Sequence, residues 1–437
     1  MTGRVHRRRF LTRDFPAAAA LVLPTVVSAR AWAGGANEKL NLAAVGVGGR
    51  GAGNIGALAR SENVVALCDV DARRLAEAAE RYPGARRYDD FRPMLDRENV
   101  DAVVVSTPDH THAAVSVAAM SLGRHVYCEK PLASSIHEAR QMAETATRSG
   151  VVTQMGNQLH ASEPVRRVVE LLHAEVLGPV RKVVTFCNKV LRHSGGDLPG
   201  DRPPVPPHLD WDLWLGPAAE RPYHPVYHPG GWRVFWGLGS GNFGDMACHI
   251  LDAPYWGLGL RYPVSVEAEG PPPHPHVAPT RMVVRYRFVR EGGAPPLEAV
   301  WYDGELAPPE ASIEGLELPG EGALVIGDRG QLLHSFRSGE IRLLPDEEFS
   351  EFEPPEPTLP RPRSHYEEWI EACKGRGQTS SDFRYGAALT ETVLAGVVAF
   401  RLGERLEWDG PGMRAANAPQ AEPLVRPPLR EGWSLET

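Results

Sequence analysis

Val45-Gly46-Val47-Gly48-Gly49-Arg50-Gly51 closes a short apolar run, residues 42–47, and opens a stretch with helical spacing. A Gly-x-Gly-x-x-Gly pattern in a strand–turn–helix context has a physical reading. Glycine lets the backbone turn tightly and approach a pyrophosphate, which then rests on the helix N-terminus where free N–H groups favour negative charge. Gly46, Gly48, Gly49, Arg50 and Gly51 are the expected cradle. Asp69 ends the next apolar run about 20 residues on, where an acid bonds the adenosine ribose hydroxyls. This choice favours NAD over NADP, because a 2′-phosphate would meet a like charge.

Outward from the turn, short β-rich runs at 42–47, 64–68, 102–106, 125–128 and 151–154 alternate with helical stretches at 71–81, 112–122 and 136–149. Such alternation predicts a parallel, doubly wound Rossmann sheet over residues 38–160. Beyond it the texture changes. A helix at 163–175 leads to a strand at 180–187, a Pro-rich loop, and further strands at 264–269, 281–289, 297–302, 323–326 and 331–334. Residues 281–289 alternate as a strand with one solvated face does. Residues 161–405 are thus expected to form an α+β domain on an open, largely antiparallel or mixed sheet. Helices at 364–373, with Ser364 as N-cap, and 384–402 close it. Residues 406–437, rich in Pro and polar side chains, are either an ordered arm or a frayed tail.

Lys130 follows the run at 125–128, at the carboxyl edge of the predicted sheet where ligands of open α/β folds bind. Pro131 after it suggests a constrained bend, with a cis bond among the options. Asp245 and His249 lie four apart on a predicted short helix, one face presenting both, so that the carboxylate could orient the imidazole. A helix-start aspartate with an unrelated histidine remains the alternative.

Taken together, Gly46 to Gly51, Ser106-Thr107-Pro108-Asp109-His110-Thr111-His112, Glu129-Lys130-Pro131 and Asp245-x-x-x-His249 resemble the glucose-fructose oxidoreductase/inositol dehydrogenase/MocA family. Gln154 to Gln158, Trp211 to Pro217 and the closing Arg430-Glu431-Gly432-Trp433 are similar to its exported, twin-arginine branch. The resemblance implies that Lys130 bonds the reacting hydroxyl beside a nicotinamide, that His249 exchanges its proton, and that Asp245 positions the substrate or that histidine. It further implies cofactor contacts from Ser106, Thr107, Pro108, His112, Glu129 and Lys130, a cis Lys130-Pro131 bond, and a second sheet supporting homo-oligomer contacts. Asn157 and His160 are then candidate substrate or ribose contacts, and Asp109 stands where many members carry asparagine.

The 437 residues, 42% hydrophobic and 23% charged with a net charge of −8, fit a globular chain and lack the basic footprint of a nucleic-acid binder. His6-Arg7-Arg8-Arg9-Phe10-Leu11-Thr12, the apolar stretch 15–27 and Ala31-Trp32-Ala33 predict a twin-arginine signal over residues 1–33, hence export to the periplasm or beyond; a disordered basic arm is the alternative. The apolar stretch is shorter than the ~18 residues a spanning helix needs, so no permanent membrane anchor is implied. Five cysteines without C-x-x-C or zinc-ligand spacing read as core residues, and no metal site is expected.

The sequence therefore points to an NAD-dependent oxidoreductase acting on a hydroxyl of a sugar, polyol or glycoside, with the cofactor tightly held. Two alternatives stand beside it. One is redox-neutral glycoside cleavage through a keto-sugar; the other is a cofactor-bound sugar sensor without turnover.

Overall fold

The computed structural model describes residues 39–435 apart from 291, 293 and 313–316. The signal segment expected over residues 1–33 lies outside the described residues.

Six strands, β1 (Asn41–Val45), β2 (Asn63–Cys68), β3 (Arg86–Tyr88), β4 (Ala102–Val105), β5 (His125–Glu129) and β6 (Thr153–Gly156), form a parallel sheet in the order β3-β2-β1-β4-β5-β6. The order reverses between β1 and β4, which opens a crevice at their carboxyl ends. Helices α1 (Arg50–Leu58), α2 (Ala72–Arg81), α3 (Phe91–Arg97), α4 (His112–Ser121) and α5 (Ile136–Ser149) connect the strands. Most starts are sealed by side chains: Asp71 accepts from the Arg73 amide, Asp90 from Arg92, and Ser135 forms a capping box with Glu138. By contrast α1 starts at Gly49 with no side-chain cap. Apart from that of Gly51, which bonds the Gly48 carbonyl at 2.9 Å, its first amides are left for an anion.

The second sheet has nine strands. They are β7 (Val180–Cys187), β8 (Ser265–Glu269), β9 (Val283–Phe288), β10 (Leu297–Asp303), β11 (Glu321–Gly327), β12 (Gln331–Ser335), β13 (Ile341–Leu344), β14 (Leu406–Asp409) and β15 (Arg414–Ala415), ordered β13-β12-β11-β7-β10-β9-β8-β14-β15. Only β7 and β10 pair in parallel, so the sheet is mixed and largely antiparallel, as the sequence suggested. Its helices are α6 (Glu163–His173), α7 (Trp211–Leu215), α8 (Gly241–Ile250), α9 (Asp252–Gly257), α10 (His365–Cys373) and α11 (Phe383–Leu402). Ser364 caps α10, accepting from the Glu367 amide at 3.1 Å. Helix α11 is apolar on nearly every face because it is a core helix, wedged between α5 of the first domain and α8 and β8 of the second.

Residues 406–435 form an arm packed on the second domain, and the expected boundary at 406 falls inside its sheet. Leu406 pairs with Val266, which makes β14 a strand of the second sheet. All five cysteines are buried and unpaired.

Candidate active site

The carboxyl ends of β1, β2, β4 and β5 open into one cavity of about 710 Å³, closed on its other side by segments of the second domain. Gly46, Gly48, Gly49, Arg50 and Asp69 line one part of it. Two glycines are sterically obligatory. Gly46 has φ +81°, and a Cβ there would stand 2.6 Å from the Ser106 carbonyl oxygen; a Cβ on Gly51 would overlap the carbonyl of Gly46. Gly51 therefore packs the turn from behind and does not itself line the cavity. Asp69 accepts the amides of Val47 at 2.9 Å and Asp71 at 2.9 Å, so it shapes the turn as well as facing the cavity. Burial pushes its carboxyl upward, against the pull of those amides and of Arg74.

Ser106, Thr107, Pro108 and His112 form the next wall. Both ring nitrogens of His112 lie 2.9 Å from carbonyls, of Pro131 and of Thr107, which ties the turn after β4 to the turn after β5. Glu129 holds Asn54 at 2.8 Å and Gln158 at 2.6 Å, with burial raising its pKa. The Lys130-Pro131 bond is cis.

At the far end stand Lys130, Asp245 and His249. Lys130 Nζ donates to Asp245 Oδ1 at 2.8 Å and to its carbonyl at 2.6 Å. Lys189 Nζ holds the other carboxylate oxygen at 2.7 Å, and Arg233 Nε approaches Oδ1 at 3.4 Å. Burial alone would raise the Asp245 pKa, but Lys130, Arg233 and Lys189 together hold it well below the usual carboxylate range. His249 is driven the other way. Burial, then the Lys130 charge, keeps its pKa well below 6.5, so the imidazole is neutral and able to accept a proton. Its Nδ1 is buried without a hydrogen-bond partner, as are Thr107 Oγ1 and Asp109 Oδ2, which belong to the same cavity.

Two sequence expectations are corrected here. Asp245 and His249 do share one face of α8, but the carboxylate is occupied by the two lysines and no hydrogen bond joins it to the imidazole. Asn157 and His160, expected to touch substrate, are fully buried behind the cavity. Ser381 donates to Asn157 Oδ1 at 2.8 Å, while His160 pairs with Asp252 at 2.9 Å and stacks on Trp256 with centroids 4.2 Å apart. Their neighbours Gln158 and Leu159 line the cavity in their place. Sequence reading missed Lys189 and Arg233. Lys189 sits two residues beyond β7, a strand-end position that could have flagged it; Arg233, which also bonds Asp109 at 3.3 Å, lies in a Gly/Trp-rich stretch with no such signal.

Uncapped amides at α1, a glycine-walled turn, Asp69 beyond it and three orphaned polar atoms along the cavity fit a nicotinamide dinucleotide with its adenosine near Asp69. The model of an oxidoreductase family with an NAD-binding Rossmann fold matches residues 40–157, and that of the family's C-terminal alpha/beta domain matches 162–435. The chain belongs to the Gfo/Idh/MocA family. Among relatives of this family, levoglucosan dehydrogenase of Pseudarthrobacter phenanthrenivorans is 24% identical over 187 residues, 43% of this chain and 40% of that protein. D-glucoside 3-dehydrogenase of Escherichia coli K12 is 28% identical over 205 residues, 47% and 49% of the two chains. The chain thus spans less than half the length of these curated relatives. The WlbA dehydrogenase of Bordetella pertussis, solved with NADH and UDP-GlcNAcA, shares the fold with a TM-score of 0.63 at 21% identity, covering 85% of this chain and 99% of that one. The family is one of NAD-binding oxidoreductases, and these relatives are named as dehydrogenases.

Proposed function

We propose that the protein is an NAD-dependent oxidoreductase acting on a hydroxyl of a sugar, polyol or glycoside, and that it works after twin-arginine export as a homo-oligomer with its cofactor retained. One observation carries this reading: the neutral base His249 and the cation Lys130 stand in the same cavity as the glycine turn and Asp69. The nicotinamide, when bound, supplies the hydride acceptor. Lys130 holds the substrate oxygen and stabilises charge developing on it, while His249 takes the hydroxyl proton. Asp245, fixed as an anion, aims Lys130 and Lys189. Asp69 favours NAD over NADP.

Outside the cytoplasm free NAD is scarce, so a retained cofactor must be restored in place. This favours either exchange between two sugars or redox-neutral glycoside cleavage, in which oxidation acidifies the neighbouring C–H, the aglycone is eliminated, water adds and the ketone is reduced again. The test is steady-state turnover of desalted protein without added NAD, against free sugars and aryl glycosides in heavy water. Turnover is expected, with deuterium on the carbon next to the oxidised one if cleavage occurs. Sugar oxidation that needs stoichiometric added NAD would leave an ordinary dehydrogenase. NAD-loaded protein inert to every sugar would leave a sensor.

A further inference from the structure

The closing Arg430-Glu431-Gly432-Trp433 segment has no part in the proton chemistry, yet Trp433 lines the cavity. It does so at the Asp69 end. Its ring lies 6.2 Å from that of Phe91, the first residue of α3, and the Arg92 guanidinium rests on it 4.8 Å from the centroid. A Cβ on Gly216 would stand 2.9 Å from Thr111 and 3.7 Å from the tip of the Trp433 indole, so the ring packs at Gly216, which itself adjoins the turn after β4. In an open α/β sheet the adenine lies between the turns that follow the second strand and the strand beyond the switch point. Phe91, Thr111 and Trp433 bracket that place.

The arm is anchored there by specific bonds. Arg430 donates to the Asp212 carboxylate at 2.5 Å, to the Asp212 carbonyl at 2.8 Å and to the Gly216 carbonyl at 2.8 Å, and its amide bonds the Pro217 carbonyl at 3.0 Å. The segment it grips is in turn laid on the turn after β2: the Ala72 amide bonds the His208 carbonyl at 2.8 Å, and the Asp210 amide bonds Val70 at 3.0 Å. Leu213 and Trp214 of this segment face the cavity.

We propose that Trp433 is a dinucleotide-binding residue, forming with Phe91 an aromatic wall against the adenine. This rests on the reading that a nicotinamide dinucleotide occupies the cavity. A purine face against an indole is favourable whatever the base.

The experiment compares the full chain with Trp433→Ala and Trp433→Phe by calorimetry, using NADH, ADP-ribose and reduced nicotinamide mononucleotide. Trp433→Ala is expected to weaken NADH and ADP-ribose by about 10-fold, Phe to restore most of it, and the mononucleotide, which lacks adenosine, to bind all three proteins alike. Undiminished NADH binding in Trp433→Ala overturns the proposal. So does equal weakening of all three ligands, which would make the arm a support for the domain only. If the unmodified protein bound none of the three, the failure would belong to the functional reading itself and would take this inference with it.

Discussion

The two ends of the cavity are built by opposite means. Around Gly46 the site is backbone: a positive φ, a carbonyl too close for any Cβ, and helix amides left without a cap. Around Asp245 it is side chains: one carboxylate meets Lys130 from β5, Lys189 from the end of β7 and Arg233 from a loop. A backbone site tolerates change of side chain wherever glycine is not required. A charge cluster depends on each member being present, because every ion is paired by another in low dielectric.

The largest effect should come from breaking the side-chain end alone. Lys130→Ala or His249→Ala is expected to lower turnover by about 10²- to 10⁴-fold while NADH binds as before. Lys130 is the better probe of the cluster than Asp245, since Asp245 keeps Lys189 and Arg233 when Lys130 is lost, whereas removing Asp245 takes the carboxylate from both lysines and leaves Arg233 with Asp109 alone, at a cost of about 3–5 kcal/mol. Single-turnover rates beside NADH titrations provide the check. A variant turning over at the unmodified rate removes that residue from the chemistry, and one that also loses NADH removes the division between the two ends.

That division also governs what the sequence made legible. The glycine turn, Asp69 and the strand ends that present Ser106 and Lys130 are local, and local rules found them. Helix α5 was readable to the residue because Ser135 and Glu138 mark its start and Gly150, in the left-handed region, its end. Strand β3 was missed because three residues with two exposed arginines carry no apolar alternation. Arg233 was out of reach for a deeper reason: its role exists only because the fold brings Asp109 and Asp245 to the same guanidinium. Asn157 and His160 show the converse. Their types and position suggested a site, but neither lines the cavity: Ser381 holds Asn157 Oδ1 and Asp252 holds His160 Nδ1, while Asn157 Nδ2 and His160 Nε2 stay buried without a partner.

A second contrast concerns pH. Burial holds His110 at about 4, His334 at about 4 and His365 at about 3, each below an ordinary histidine. Below pH 6.5 the unfolded chain takes up protons that the folded one refuses, so the stability present above 6.5 is lost progressively as the pH falls towards 4. At pH 5.5 each of these groups costs on the order of 1 kcal/mol. Urea midpoints should therefore drop between pH 7.5 and 5.5, with NADH affinity of the folded protein little changed, since the cradle is made of amides. Unchanged midpoints would mean that these imidazoles reach solvent.

The smallest expected effect lies at Asp69, the acid that bonds the backbone turn. Asp69 does two jobs at once. Its carboxylate orders the turn through the Val47 and Asp71 amides, and on the proposed reading it presents negative charge to the ribose 2′ position. Asp69→Ala orphans both amides, so it should weaken NAD and NADP alike through the turn, and absolute affinity cannot separate the two jobs. The ratio can. Loss of the turn cancels between the two nucleotides, whereas loss of the charge removes a hydrogen-bond acceptor from NAD and a repulsion from NADP. A shift of about tenfold in the NAD-to-NADP affinity ratio is expected, the size of one hydrogen bond to a charged group. Calorimetry of both nucleotides on both proteins measures it. An unchanged ratio would make Asp69 a builder of the turn alone.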